Sequence, residues 1–584
     1  MAAHTPVAQA EEPVGIARRA RRLPRGPQVR LFLTLWLVYL MHWSPFVVRE
    51  LYLTISLAER GTVHVDPYLD LHPDLFTMEG RGTYMGGNPG ASFVAVVPYW
   101  IALPVIERVA PVRPLPPGAE ADTGAAYDQK RANRQKFYER ARELGLAVRL
   151  AAGALVTSGF FMAPLTALAA VGLMRLLWRM GFAAGAALWM ALLFGVGTPI
   201  FLRAGTLSLN LLVALLTFWS FALLWRPEKE KVAAKNGGAT ALDDEETQRF
   251  RAGEFPDAPC AGKSTGEGDG GPRGGASALE EEETVEMRVG PPSRKDGEWL
   301  RYGAAGFLAG WALLTDYTGA VTAAMLGLFA LWLQWRKRLL RALGGSLWYL
   351  AGAVGPVALL LFYQWYCYGD AWLPAQFHQP QQIFAGYPSE RGFGWPLPEA
   401  LWGLIFHPQY GLLVFAPVFA LALYHPVLMW KRRNLVPGHV AVFAWMFFAA
   451  LYLFSSSIHY TVRHQWQDGV RYIVPALPLL FLLVADVLAR AKRWLVLAVT
   501  AVSVALAWAV AMVRESPYES LRQVMTQGPQ FPWLSTLKRA AEFFPAMADP
   551  GSIWAAWAGW IVLAVMLLGV WVIWAGAERV SPHA

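Results

Sequence analysis

Four stretches of this chain, residues 31–48, 181–202, 494–513 and 552–576, run about 18 to 25 residues without one formally charged side chain. That is enough to cross a hydrocarbon layer about 30 Å thick as a helix. None carries the polar stripe of a water-soluble amphipathic helix, and all are far longer and less regular in alternation than barrel strands. Backbone groups in lipid must be satisfied within their own segment, so helices are the expected form. The whole chain agrees: 55% of its 584 residues are hydrophobic and only 16% charged. The sequence therefore predicts an all-α polytopic membrane protein of about 12 transmembrane helices, with a large first extracytoplasmic loop carrying surface helices. The expected spans are 31–48, 150–174, 181–202, 204–225, 302–316, 319–335, 346–366, 411–430, 438–457, 472–489, 494–513 and 552–576.

The net charge of +9 is not that of a nucleic-acid binder, because the basic residues cluster between apolar runs, as orientation in a membrane requires. Residues 1–30 form a basic cytoplasmic N-terminus with Arg18, Arg19, Arg21, Arg22, Arg25 and Arg30. Residues 31–225 form a first transmembrane module whose first loop, 49–149, lies outside. A linker over 226–300 is polar, Gly-rich and too poor in apolar residues to fold. A second module covers 301–513, an outer loop 514–551, and a last span with a short tail 552–584. Residues 91–106 are short and broken by Pro98 and Pro104, and are read as lying on the membrane rather than crossing it. That choice puts Arg175 with Arg179, Arg336 to Arg341, Lys431 to Arg433 and Arg490 to Arg493 in the cytoplasm; the basic residues of 107–149 argue the other way. Cys260 and Cys367 are the only cysteines, so no disulfide framework is expected.

Polar, aromatic and His-bearing segments gather in the outer loops. The first reads "RELYLTISLAERGTVHVDPYLDLHPDLFTMEGRGTYMGGNPG". Its helix ending "LAERG", then "VDPY", "HPDLF" and a Tyr-x-x-x-x-Pro-Gly segment are followed by "GFLAGWALLTDYTGAV", "FYQWYCYGDAW", "PEALWGLIFHPQYGLLVFAPVFALAL" and "DGVRYIVPALPLL". In that order, over roughly residues 30 to 490, they resemble the C-type (GT-C) membrane glycosyltransferases, the superfamily of bacterial protein O-mannosyltransferases and aminoarabinose transferases. The resemblance implies a multi-pass protein of a bacterial-type inner (plasma) membrane. It implies transfer of a sugar from a polyprenyl-phosphate carrier to an envelope glycan or protein acceptor at the extracytoplasmic face. Its partners would be the lipid-linked donor, that acceptor and membrane lipid, with no nucleic acid. No cofactor is called for beyond the polyprenyl-phosphate sugar as donor substrate, and a divalent metal is the less favoured addition.

Such a transfer needs a carboxylate to take the acceptor proton and donors to hold the departing phosphate. The family places an acid directly after the first span; here "HWSPFVVRELY" offers only Glu50, which reads either as the base or as a partner of Arg49 at a helix start. Asp66 in "VDPY" and Asp74 in "HPDLF" are alternative bases, with turn formation as their other reading, and Asp70 lies between them. Where many members carry a lysine before Pro-Gly, this chain has Asn88 in "GGNPG", so the phosphate needs another cation. Arg471 and Tyr472 of "GVRY", with Arg463 nearby, supply the candidate; a snorkelling Arg is the alternative. Asp316 is either a functional charge within the membrane or a group in the turn between two spans. Asp486 pairs with Arg490 one turn on. His378, His407, His459 and His464 show no metal-ligand spacing. A transporter or flippase, and an inactive scaffold relative, are the other readings of such a chain.

Overall fold

The computed structural model describes residues 25–112, 132–226, 297–335, 339–380, 389–459, 469–539, 549 and 551–575. Most of the basic N-terminus, the linker 226–300 except its ends, Cys260, Arg463 and His464 lie outside the described residues. A second unit, Arg226–Gly297, coincides with that linker.

The described chain is almost entirely helical. In order come α1 (Arg25–Met41), α2 (Arg49–Arg60), a hairpin of β1 (Leu75–Met78) and β2 (Gly82–Met85), α3 (Gly90–Val109), α4 (Ala132–Glu143), α5 (Ala147–Thr157), α6 (Ala163–Arg179), α7 (Ala184–Val196), α8 (Pro199–Ala204) and α9 (Leu209–Leu224). After the linker follow α10 (Glu298–Thr315), α11 (Thr318–Trp335), α12 (Leu339–Tyr368), α13 (Pro398–Phe406), α14 (Leu412–Phe415), α15 (His425–Trp430), α16 (Gly438–Ser456), α17 (Leu477–Leu488), α18 (Arg493–Val513), α19 (Pro517–Gln527), α20 (Pro532–Arg539) and α21 (Ile553–Ala575). Each of the twelve expected spans meets helix. Among the described residues seven helices are long and apolar enough to cross a membrane by length and composition, among them Ala147–Arg179, in which α5 and α6 are joined through a π-turn. Among the described residues five more apolar helices are shorter, and three of them meet backbone breaks: Pro417 after α14, Pro475 and Pro478 at the start of α17, and the Gly197–Thr198 step between α7 and α8. The count of twelve full-length spans is thus not what helix length alone returns.

One expectation is corrected. Pro98 and Pro104 do not cut 91–106 short; α3 is a continuous 20-residue helix. Its prolines sit within it, and its length alone would let it cross. Its contacts tie it to α2, α5 and the end of α10. Gly90 packs on the backbone of Leu314 and Thr315 at the end of α10. Ser92 donates to the Glu50 carbonyl at 2.8 Å, Tyr99 to Glu59 Oε1 at 2.6 Å, and the Ala110 carbonyl accepts from Arg149. α3 therefore runs alongside α2 and leaves Val97, Trp100, Ile101, Val105 and Val109 exposed as one apolar face, the surface an interfacial helix offers to lipid. The expected span 150–174 lies within the continuous helical run Ala147–Arg179, which passes through a π-turn at Ser158–Met162, and Trp36 Nε1 donates to the Gly159 carbonyl at 2.9 Å.

The first loop has its own apolar core, with Leu51, Tyr52, Leu53, Tyr68, Phe76 and Tyr84 buried and Tyr363, Cys367 and Tyr368 of α12 closing it. A buried ion pair, Arg149 to Glu59 at 2.8 Å, ties α5 to the end of α2. In the second module α10 and α12 approach on small residues. A Cβ at Gly306 would lie 1.8 Å from the Tyr349 carbonyl oxygen, so the helices touch backbone to backbone, as close packing in lipid favours. Gly306→Leu is expected to force them apart and lower the thermal unfolding temperature in detergent by several degrees; an unchanged transition would contradict this packing.

Candidate functional site

The site begins where α1 ends. Residues 42–48 turn the chain and start α2 at Arg49, which puts Arg49 and Glu50 in the first turn of a helix lying against α3. Glu50 is only 2% exposed, and a buried carboxylate needs a partner. Arg49 supplies it, its Nε 2.7 Å from Glu50 Oε1. The same guanidinium reaches over the loop: Nη1 donates to Asp74 Oδ2 at 2.6 Å and to the Gly86 carbonyl at 3.0 Å. One planar fork therefore holds two carboxylates that stand 24 positions apart in the chain.

The glycines of "GGNPG" make this possible. A Cβ on Gly87 would sit 2.9 Å from the Arg49 guanidinium carbon, so only a bare backbone lets Arg49 lie flat on this loop. The next residue, Asn88, is buried, and its Nδ2 donates to the Leu313 carbonyl at 2.8 Å, which pins the loop to the end of α10. Its Oδ1 has no partner among the described residues. Just beyond, Asp316 Oδ1 accepts from Thr318 N at 2.9 Å and Thr318 Oγ1 at 2.7 Å. Asp316 thus occupies the turn between α10 and α11, the second of its two readings, while remaining close enough to act electrostatically on Arg49 and Arg471.

Arg471 approaches from the chain leading into α17. Arg203 of α8, itself buried, donates to the carbonyls of Gly469 and Val470 at 3.0 Å each and so fixes this segment. Arg471 Nε then donates to Asn210 Oδ1 at 3.3 Å, and its guanidinium carbon lies 5.0 Å from the centre of the Tyr472 ring. One edge and one face are thereby anchored. Its terminal nitrogens have no partner among the described residues. The Asn210 Nδ2 is likewise unpartnered, and such a buried donor costs about 1–3 kcal/mol unless something fills it.

The charges reinforce one another. Burial opposes ionisation of Asp74, but Arg49, with His72 and Arg471 behind it, more than offsets this and holds its carboxyl below the usual aspartate value. Burial also lowers His72, only partly opposed by Asp74, so His72 is neutral at pH 7. Its Nδ1 accepts from the Asp74 backbone N–H at 3.1 Å. For Arg471, burial acts against the charge, yet Tyr472, Asp316 and Glu50 keep it firmly protonated despite Arg49. Because the folded Asp74 is depressed, the stability it lends is complete above the ordinary aspartate range and is lost only as pH falls through its lower folded value.

Glu50, Asp74, Asp316, Arg471 and Tyr472 therefore lie within electrostatic reach of one another, with Asn88 on the adjoining loop. Asp66 does not join them. Its Oδ1 accepts from Thr83 N at 2.9 Å and braces the hairpin beside His64, the turn-forming alternative. Asp66→Ala should leave chemistry intact and cost about 1 kcal/mol of stability; loss of activity with an unchanged melting transition would overturn this. Arg463 lies outside the described residues. Of the other candidate histidines, His459 bonds Ser389 Oγ at 2.6 Å and the Trp395 carbonyl at 2.9 Å, His378 stacks on Tyr368 and His407 on Tyr410, and His464 lies outside the described residues. Among the described residues no three His, Cys, Asp or Glu side chains group as a metal site. Sequence reading missed Asn210 and underrated Arg49. The adjacency of Arg49 to Glu50 was visible, but its reach to Asp74 depends on the loop fold.

No family model matches the chain, and no curated protein does. Two solved structures are similar. One is ArnT from Cupriavidus metallidurans bound to undecaprenyl phosphate, at 15% identity and a TM-score of 0.42, covering 94% of this chain and 75% of that one. The other is the same protein in the apo state, at 16% identity and a TM-score of 0.40, covering 94% and 74%. Likeness at this level leaves the chemistry to be argued from the residues themselves.

Proposed function

We propose that this chain is a membrane glycosyltransferase that moves a sugar from a polyprenyl-phosphate carrier to an acceptor hydroxyl at the extracytoplasmic face, with its N-terminus in the cytoplasm. One observation carries the reading: two carboxylates clamped by Arg49 share a cluster with Arg471, whose terminal fork is unspent. That is the pairing of proton acceptor and anion holder which the reaction demands. Glu50, the more buried acid, takes the acceptor proton; Asp74 is the alternative. The acceptor oxygen bonds to the anomeric carbon as the bond from that carbon to the phosphate oxygen breaks. The electron pair leaves with the carrier phosphate, where Arg471 meets the charge. A single displacement inverts the anomeric centre, so no second nucleophile is required. A transporter would place its ionisable groups along the middle of its spans, whereas these gather at helix ends.

The test is transfer from a radiolabelled polyprenyl-phosphate sugar by purified protein in lipid nanodiscs. Glu50→Gln is expected to reduce the rate about 10²–10⁴-fold with membrane insertion unchanged. Donor crossing a proteoliposome membrane without any covalent product would refute the reading.

A further inference from the structure

Asn210 braces Arg471 with one half of its amide and leaves the other half unused. The amide orientation is settled by its neighbour: Arg471 Nε–H is a donor, so the atom 3.3 Å from it is Oδ1, and the unpartnered atom is Nδ2. Asn210 is 3% exposed, and nearly all such buried donors in native proteins are satisfied. It also stands in the first turn of α9, where Ser208 caps Leu211 N at 3.5 Å and the 16-residue helix directs its partial positive charge outward. Nδ2 shares a carbon with the atom that Arg471 Nε contacts, so the unpartnered donor belongs to the residue that braces Arg471. A buried donor, a helix N-terminus and a half-anchored Arg share one preference, an anionic oxygen.

We propose that Asn210 is a ligand-reading residue: its Oδ1 aims Arg471 while its Nδ2 donates to an oxygen of the carrier phosphate that Arg471 holds. This rests on the lipid-phosphate reading of Arg471 given above. It assigns the start of α9 to the donor site.

Asn210→Asp and Asn210→Ala divide the two halves of the role. Aspartate keeps the acceptor for Arg471 and replaces the donor with an anionic oxygen that repels phosphate; alanine deletes both amide groups. Binding is measured with polyprenyl monophosphate in nanodiscs and, separately, with inorganic phosphate. Both variants are expected to bind the lipid phosphate about 10- to 100-fold more weakly, with inorganic phosphate binding weakly throughout. Wild-type affinity in Asn210→Asp with loss in Asn210→Ala means that Asn210 only braces Arg471, and overturns the proposal. Tight inorganic phosphate binding would overturn the lipid source. Should the variants fail to fold, a structure of the wild-type complex decides: a phosphate oxygen within about 3.2 Å of Nδ2 supports the assignment, and none there overturns it. If the wild-type protein binds no polyprenyl phosphate, the transferase reading itself fails; if it binds and Asn210→Asp binds equally, only the role of Asn210 does.

Discussion

Arg471→Ala is expected to lower sugar transfer by about 10²–10³-fold, the range seen when one donor to a developing anion is removed. The residue is built to hold something: its Nε rests on Asn210, its face on Tyr472, and Arg203 fixes the two carbonyls before it. Without the guanidinium the leaving phosphate develops its charge beside Glu50, Asp74 and Asp316, three carboxylates for which Arg49 is the remaining cation of the cluster among the described residues. Arg471→Lys restores the charge but not the planar fork, so partial recovery is expected. The loss should appear in carrier binding and in turnover with the melting transition unmoved. Equal activity in wild type and Arg471→Ala would remove this residue from the mechanism.

The largest effect on stability is expected at the far end of the second module. Asp486 is fully buried on α17, and four groups converge on it: His425 Nε2 at 3.1 Å, Arg490 Nε at 3.3 Å, Leu435 N at 2.9 and 3.0 Å to its two oxygens, and Val436 N at 3.0 Å. Asp486→Ala leaves two backbone donors and a buried imidazole without their acceptor, a loss of about 3–5 kcal/mol. Asp486→Asn keeps one acceptor oxygen and should fall between. The measurement is the fraction of monodisperse protein after heating in detergent. Wild-type survival of Asp486→Ala would show that the loop 434–436 is held by other means.

The helices were legible because the requirement of a hydrocarbon solvent overrides nearly everything else about composition. What the sequence could not show was where each helix breaks. The stretch 411–430 reads as one apolar run, yet Ala416 adopts φ −148° and ψ 76° before Pro417, and the run becomes two short helices around a 3₁₀ segment. α3 failed in the opposite sense, since its two prolines were accommodated within one helix. In the site, residue types were readable and their partners were not. Asp66 and Asp74 are indistinguishable as sequence, each an Asp in a Pro-containing turn. Tertiary contact sends one to a hairpin N–H and the other to Arg49. Asn210 carried no local signal, because an Asn in the first turn of an apolar helix is an ordinary residue until an Arg from 261 positions away meets it. Arg490 with Asp486 was visible at helical spacing; His425, from another element, was not.

The central claim is that the Arg49 cluster works at the extracytoplasmic surface. It is tested most directly by placing one cysteine at Glu79, an exposed position between β1 and β2, in a chain whose Cys260 and Cys367 are replaced by alanine, and treating cells with a membrane-impermeant maleimide. Labelling of Glu79→Cys in intact cells is the predicted result. Labelling that appears only after the cells are broken open would place the cluster in the cytoplasm and contradict the account.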